Sequence, residues 1–100
     1  MTSQKVFRYK TSRELGRALG LSDIEMELVH QKKILIERIK EARLKKELSQ
    51  TELASLVGSR QPAIARMESG QISEVSMDFL LKASLALELT VTIKSSKKVA

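Results

Sequence analysis

Ser49 to Gly70 reads SQTELASLVGSRQPAIARMESG, and this stretch decides the fold. Ser49 followed three residues later by Glu52 has the spacing of a capping box, in which each side chain satisfies a backbone N–H of the other at a helix start. Leu53, Leu56 and Val57 then recur at helical spacing and aim the helix at a core. Gly58 stops it, where a left-handed backbone would strain a side chain. Ser59 or Arg60 opens a second helix, with Pro62 in its first turn, where a missing N–H removes no helical bond. Gly70 ends that helix.

Two short helices joined by a turn of about three to four residues containing Gly match the unit that lays its second helix in the DNA major groove. Small Ala54 lets the helices cross closely, and Ile64 and Met67 anchor the second from beneath. Arg60, Gln61, Ala63 and Arg66 are left on its outer face. An ordinary helical hairpin requires none of these features in register. A capped start, a small crossing residue, a glycine turn and a polar outer helix arriving together favour the DNA-binding unit.

LSQTELASLVGSRQPAIARMESG resembles the Cro- and lambda-repressor-like helix-turn-helix proteins, the XRE family, and the resemblance extends from about Ile34 to Leu89. Within that family the longer pattern is similar to small HigA-like antitoxins. It shares with them an upstream acidic-then-basic helix, a Ser76-Met77-Asp78 start to a later helix, and a short terminal strand. The resemblance implies an all-α, compact helix-turn-helix bundle of about five helices. An N-terminal arm and helical extension (1–33) precede the DNA-binding domain (34–88), and a C-terminal strand with a basic tail (89–100) follows it.

It also implies roles for single residues. Gln61 and Arg66 match base-reading positions of the family; a glutamine amide suits adenine and an arginine fork suits guanine. Arg60 departs from the Ser or Thr common at its position, exchanging a helix cap for a phosphate or base contact. Pro62 and Ala63 offer small apolar surface to a thymine methyl. Gln50, Ser59, Ser69 and Gln71 are the expected phosphate contacts, with plain solvation as the alternative for each. Arg43 and Glu68 match a pair that in related repressors is buried and holds the second helix without touching DNA.

The formal charge of +6 favours an anionic partner, nucleic acid before membrane. With no cysteine and a single histidine, His30, disulfides are excluded and a zinc site is implausible. Gly16, Gly20, Gly58 and Gly70 never assemble into a phosphate-cradling motif. No cofactor, metal or enzymatic activity is therefore expected. No apolar run reaches the length of a membrane span, and the N-terminus lacks a signal-peptide core, so the expectation is a cytoplasmic protein.

Along the rest of the chain, VFRYK (6–10) reads as a brief strand or an arm. Ser12 is the expected cap of a short helix through Leu19, stopped by Gly20, with Leu15, Ala18 and Leu19 as its apolar face. Ser22 and Glu25 form a second capping box, opening a helix to about Glu47. Its stripe is Ile24, Leu28, Leu35, Ile39 and Ala42, widened by Ile34 and Ile36, with a break or kink expected near His30 to Lys33. KKILIERIKEARLKK is basic and amphipathic, but Glu37 and Glu41 interrupt its basic face and favour a bundle helix over a membrane-surface one. Ser76 should cap a helix carrying Phe79, Leu80, Ala83 and Leu87 inward and ending near Glu88, where many relatives have Gly.

LTVTIK alternates Leu89, Val91 and Ile93 with polar residues, the pattern of a strand with one buried face. A strand needs a partner, either VFRYK or its own copy in a second subunit, which would make a symmetric homodimer. The expected partners are double-stranded operator DNA with an inverted repeat, a second copy of the chain, and a HigB- or RelE-like toxin. The alternatives are a stand-alone phage-type repressor and a helical interaction module that does not read DNA. Few aromatics argue against RNA.

Overall fold

Five α-helices and one 3-10 turn make up the regular structure among the described residues of the computed structural model, which are 12–18, 20 and 22–93. They are α1 (Ser12–Ala18), α2 (Asp23–Lys45), α3 (Gln50–Val57), α4 (Gln61–Glu68), the 3-10 turn (Ile72–Glu74) and α5 (Met77–Ala86). The chain divides into two units, Met1–Gln31 and Lys32–Ala100.

The first unit holds α1 and the opening turns of α2. Ser22 caps α2: its hydroxyl accepts the Glu25 N–H at 3.1 Å, and the Glu25 carboxylate accepts the Ser22 N–H at 2.9 Å. The Ser22 N–H, and after it the Ser22 hydroxyl, hold the Glu25 carboxyl below the usual glutamate range. Ser12 is itself the first helical residue rather than the cap before it. Met26 is buried, whereas Leu15, Leu28 and Ile24, the last of them 82% exposed, are not. The apolar stripe expected along α2 therefore does not bury its first two members. VFRYK and Leu19 lie outside the described residues.

No break interrupts α2 near His30; it is helical from Asp23 to Lys45. With neither Pro nor Gly between those ends, nothing in the sequence removes a backbone bond or clashes with one.

The second unit builds one aliphatic core from Ile36, Ile39, Leu53, Ala54, Ile64, Met67, Val75, Leu80, Ala83 and Leu87. On α2 the inward face is Ile36, Ile39 and Arg43, with Leu35 and Ala42 only half-buried at its margin. Apolar periodicity misplaces that face, because it gives no weight to an arginine whose charge is met inside the fold. Leu53 is buried as expected and Ala54 joins it, whereas Leu56, also expected inward, is 58% exposed. Full burial of a Leu, Ile or Met side chain contributes roughly 1.5–3 kcal/mol, so these apolar contacts dominate the stability of the bundle.

Four helices end alike. At α2, α3, α4 and α5 a residue in the left-handed region turns the chain, and the next N–H reaches back to close the helix. The closing bonds are Leu48 to Arg43, Ser59 to Ala54, Gln71 to Arg66 and Leu89 to Ser84, at 2.8–3.2 Å. Gly58 (φ +76°) and Gly70 (φ +90°) make two of the turns, as their position in the sequence predicts. The other two are made by Glu47 (φ +59°) and Glu88 (φ +64°). Glu88 thus takes the conformation that favours Gly, and its carboxylate pairs with Lys46 Nζ at 3.0 Å.

Residues 89–93 form no strand. Leu89 packs half-buried against the core, while Val91 and Ile93, the latter 95% exposed, point into solvent. An alternating segment becomes a strand only when a neighbour accepts its backbone bonds, and none lies beside it among the described residues. Lys94 lies outside them.

Candidate nucleic-acid interface

The Ser49 hydroxyl accepts the Glu52 N–H at 3.0 Å, and the Glu52 carboxylate accepts the Ser49 N–H at 2.7 Å, so the capping box fixes where α3 begins. Gly58 then ends α3 and Arg60 starts α4 with an extended backbone and no side-chain cap. Pro62 fits the first turn. Because Ile64 and Met67 are fully buried beneath α4, the opposite face is turned outward. Arg60, Gln61, Pro62 and Arg66 are exposed there, and Ala63 is half-exposed.

Arg43 and Glu68 meet in a bidentate ion pair, Nε to Oε2 at 2.6 Å and a second guanidinium nitrogen to Oε1 at 2.9 Å. Their side chains are only 10% and 4% exposed. Arg43 also donates to the Leu48 carbonyl at 2.6 Å, which ties the pair to the α2–α3 turn. Burial alone would push the Glu68 carboxyl up. Hydrogen bonds from Arg43 and Gln50, with the charges of Arg43 and Lys40, outweigh it and hold Glu68 below the usual glutamate range. The Arg43 guanidinium is pushed up by its bond to Glu68, against the opposing effect of burial. Glu68 is therefore ionised near neutrality.

Gln50 extends this pair to the surface. Its amide nitrogen donates to Glu68 Oε1 at 3.1 Å, and its Oε1 accepts from Gln61 Nε2 at 2.7 Å. The polarity of the chain follows from its buried end. An ionised carboxylate accepts only, so Gln50 must turn its NH2 to Glu68 and its oxygen to Gln61. Gln61 must then use one N–H inward, leaving its Oε1 and a second N–H free. One acceptor and one donor side by side match the N6 and N7 edge of adenine.

The four side chains expected at phosphates are placed differently from one another. Gln50 is half-buried and its amide is engaged within the protein. The Ser69 hydroxyl donates to the Arg66 carbonyl at 2.9 Å, so its oxygen is free to accept but its proton is committed. Ser59 is half-buried in the turn, and its N–H closes α3. Gln71 is exposed. Sequence reasoning missed the link from Glu68 through Gln50 to Gln61; two glutamines opening consecutive helices were its only trace. It also missed Glu74, which lines one open cleft of about 190 Å³ with Ala63, Arg66, Val75, Ser76 and Phe79.

Among the described residues no three metal-binding side chains gather, and no helix is long and apolar enough to cross a membrane. No curated protein and no solved structure matches the chain. A family model described as helix-turn-helix matches residues 39–93, more than half of the sequence and all of α3, α4 and α5. The chain belongs to the XRE-type helix-turn-helix family, a family of DNA-binding domains.

Proposed function

We propose that this protein is a sequence-selective transcriptional repressor that inserts α4 into the major groove of its operator. The observation that carries this is Gln61: exposed at the start of α4, with its amide held by Gln50 so that an adenine-compatible acceptor and donor face outward. Arg66, one face further along, supplies the fork for guanine. Arg60, Pro62 and Ala63 complete the base-facing surface, and Gln71, Ser69, Ser59 and the unused N–H of Gln50 serve phosphates. The Arg43–Glu68 pair sets the tilt of α4 from inside. Gel-shift titration on the DNA upstream of the gene tests this. Selective binding that Gln61→Ala or Arg66→Ala abolishes is the expected result; binding indifferent to sequence refutes it.

The protein acts as a dimer on an inverted repeat, with the two α4 helices about 34 Å apart, one turn of the duplex. Exposed Val91 and Ile93 support pairing of the 89–94 segments of two copies.

A second reading, an antitoxin that neutralises a HigB- or RelE-like ribonuclease, is favoured by the N-terminal unit. Residues 1–31 lie outside the family match, and Ile24 and Leu28 leave apolar surface uncovered there. Co-expression with a neighbouring gene for a small basic protein tests it: co-purification that Ile24→Lys disrupts is expected, and independent elution refutes it.

A further inference from the structure

Beside α4 the protein carries an acid where a polyanion ligand would make one unwelcome. The cleft of about 190 Å³ is lined by the apolar Ala63, Val75 and Phe79 together with Ser76 and the charged Arg66 and Glu74. Glu74 is exposed, and among the described residues its carboxylate makes no hydrogen bond or ion pair. Nor can its backbone move aside easily. Its N–H bonds to the Gln71 carbonyl at 3.2 Å, the next N–H bonds to the Ile72 carbonyl at 3.1 Å, and Val75 is buried in the core. Ser76, the next residue, is fixed as the cap of α5 through the Phe79 N–H at 3.1 Å. The backbone that carries the Glu74 carboxylate is thus fixed at the rim of the same open cleft that Arg66 lines.

Binding to DNA of any sequence is driven almost wholly by phosphate charge. In such a complex a long, exposed arginine gains most by swinging to a phosphate. An opposing carboxylate works against that swing in two ways: it attracts the guanidinium, and it repels the phosphate that would replace it. Guanine O6 and N7 offer the fork two neutral acceptors and a phosphate offers it two anionic oxygens, so a nearby carboxylate penalises the phosphate contact far more than the base contact. Specificity gained through a repulsive element is a general device, because it weakens the wrong complex more than the right one.

We propose that Glu74 is a positioning residue for Arg66, directing its guanidinium toward base edges and withholding it from the phosphate backbone. This rests on the reading of α4 as the base-contacting helix. The full-length chain is titrated with the duplex that the wild type selects from a random pool and with a scrambled duplex, over a series of salt concentrations. Wild type, Glu74→Gln, Arg66→Ala and the double variant are compared, with circular dichroism to establish that each is folded.

Glu74→Gln is expected to bind the scrambled duplex roughly three- to tenfold more tightly, with a salt dependence steeper by about one phosphate contact. The selected duplex should change by less than about twofold, so the ratio of affinities falls. In the Arg66→Ala background the same substitution should tighten the scrambled duplex by much less and leave its salt dependence unaltered, and in the wild-type background Glu74→Asp should keep most of the wild-type ratio. An unchanged ratio in Glu74→Gln, while the wild type still prefers its selected duplex, overturns the role of Glu74 alone. An equal gain in affinity for the scrambled duplex with and without Arg66 also overturns it, since the carboxylate would then act on phosphates alone. A wild type with no preference between duplexes overturns the proposed function and this role together.

Discussion

Gln61 donates to Gln50 across 2.7 Å while Gln50 donates to Glu68 across 3.1 Å, so the first residue of α4 is wired to its last through the first residue of α3. Removing the middle member should expose what the wiring does. Gln50→Ala leaves the Arg43–Glu68 pair in place but frees the Gln61 amide to flip. We expect a cost of about 0.5–1.5 kcal/mol in binding to the preferred duplex, and a weaker preference for adenine at the base facing Gln61. Titration against duplexes changed at that base measures both.

The buried ion pair gives a stability prediction. Arg43→Ala strands the Glu68 carboxylate and Glu68→Ala strands the guanidinium, each costing roughly 3–5 kcal/mol. Replacing both with Met and Leu should recover much of the loss, because no buried charge then lacks a partner. Urea unfolding of the three variants checks this. An Arg43→Ala protein as stable as wild type contradicts it.

Acid should act through the same pair. The folded Glu68 carboxyl sits below the ordinary glutamate value of 4.5, so in that range the unfolded chain binds more protons. The stabilisation is fully present above 4.5 and is lost as pH falls through the lower, folded value. Glu25 contributes with the same sign. The urea midpoint should therefore be level from neutrality down to the ordinary glutamate range and decline below it. Glu68→Gln should flatten part of that decline, at the expense of stability near neutrality.

At the helix ends the two glutamates with positive φ make a different test possible. A left-handed residue with a side chain is disfavoured by roughly 1–2 kcal/mol, part of which Gly regains and part of which it loses to unfolded-state freedom. Glu47→Gly should raise stability by about 0.5 kcal/mol. Glu88→Gly should gain less, because it also removes the exposed pair with Lys46, worth about 0–1 kcal/mol. Gly58→Ala should lose about 1 kcal/mol although open space surrounds the added methyl, since the penalty lies in the backbone. Thermal melts rank all three.

If the proposed dimer pairs through residues 89–94, Val91→Lys with Ile93→Lys should give a monomer that stays folded, since both side chains are exposed and neither belongs to the core. Sedimentation equilibrium distinguishes this from a dimer held elsewhere.

Local chemistry made much of the second unit legible. Ser49 with Glu52, Gly58, Pro62 and Ser76 each act over a few residues, and each fixes a helix end where its position predicts. Ile64, Met67 and Leu80 are buried on the faces that their spacing assigns. What failed was longer in range. Ile24, Leu28 and Leu56 lie on apolar stripes, yet all three are exposed, and no element among the described residues covers them. Val75 sits in an apparent loop and is buried because the 3-10 turn folds it under the bundle. The candidate site was legible in its residue types but not in its connections. Nothing in the spacing of Gln50 and Gln61 shows that their amides touch, or that Glu74 and Arg66 line one cleft.

Arginine at position 43, in place of lysine or histidine, has one more effect. A guanidinium keeps its protons at any physiological acidity, and its bond to Glu68 strengthens that hold. The orientation passed outward through two amides is thus insulated from shifts in the cell's proton concentration. A histidine there would have turned the same wiring into a sensor.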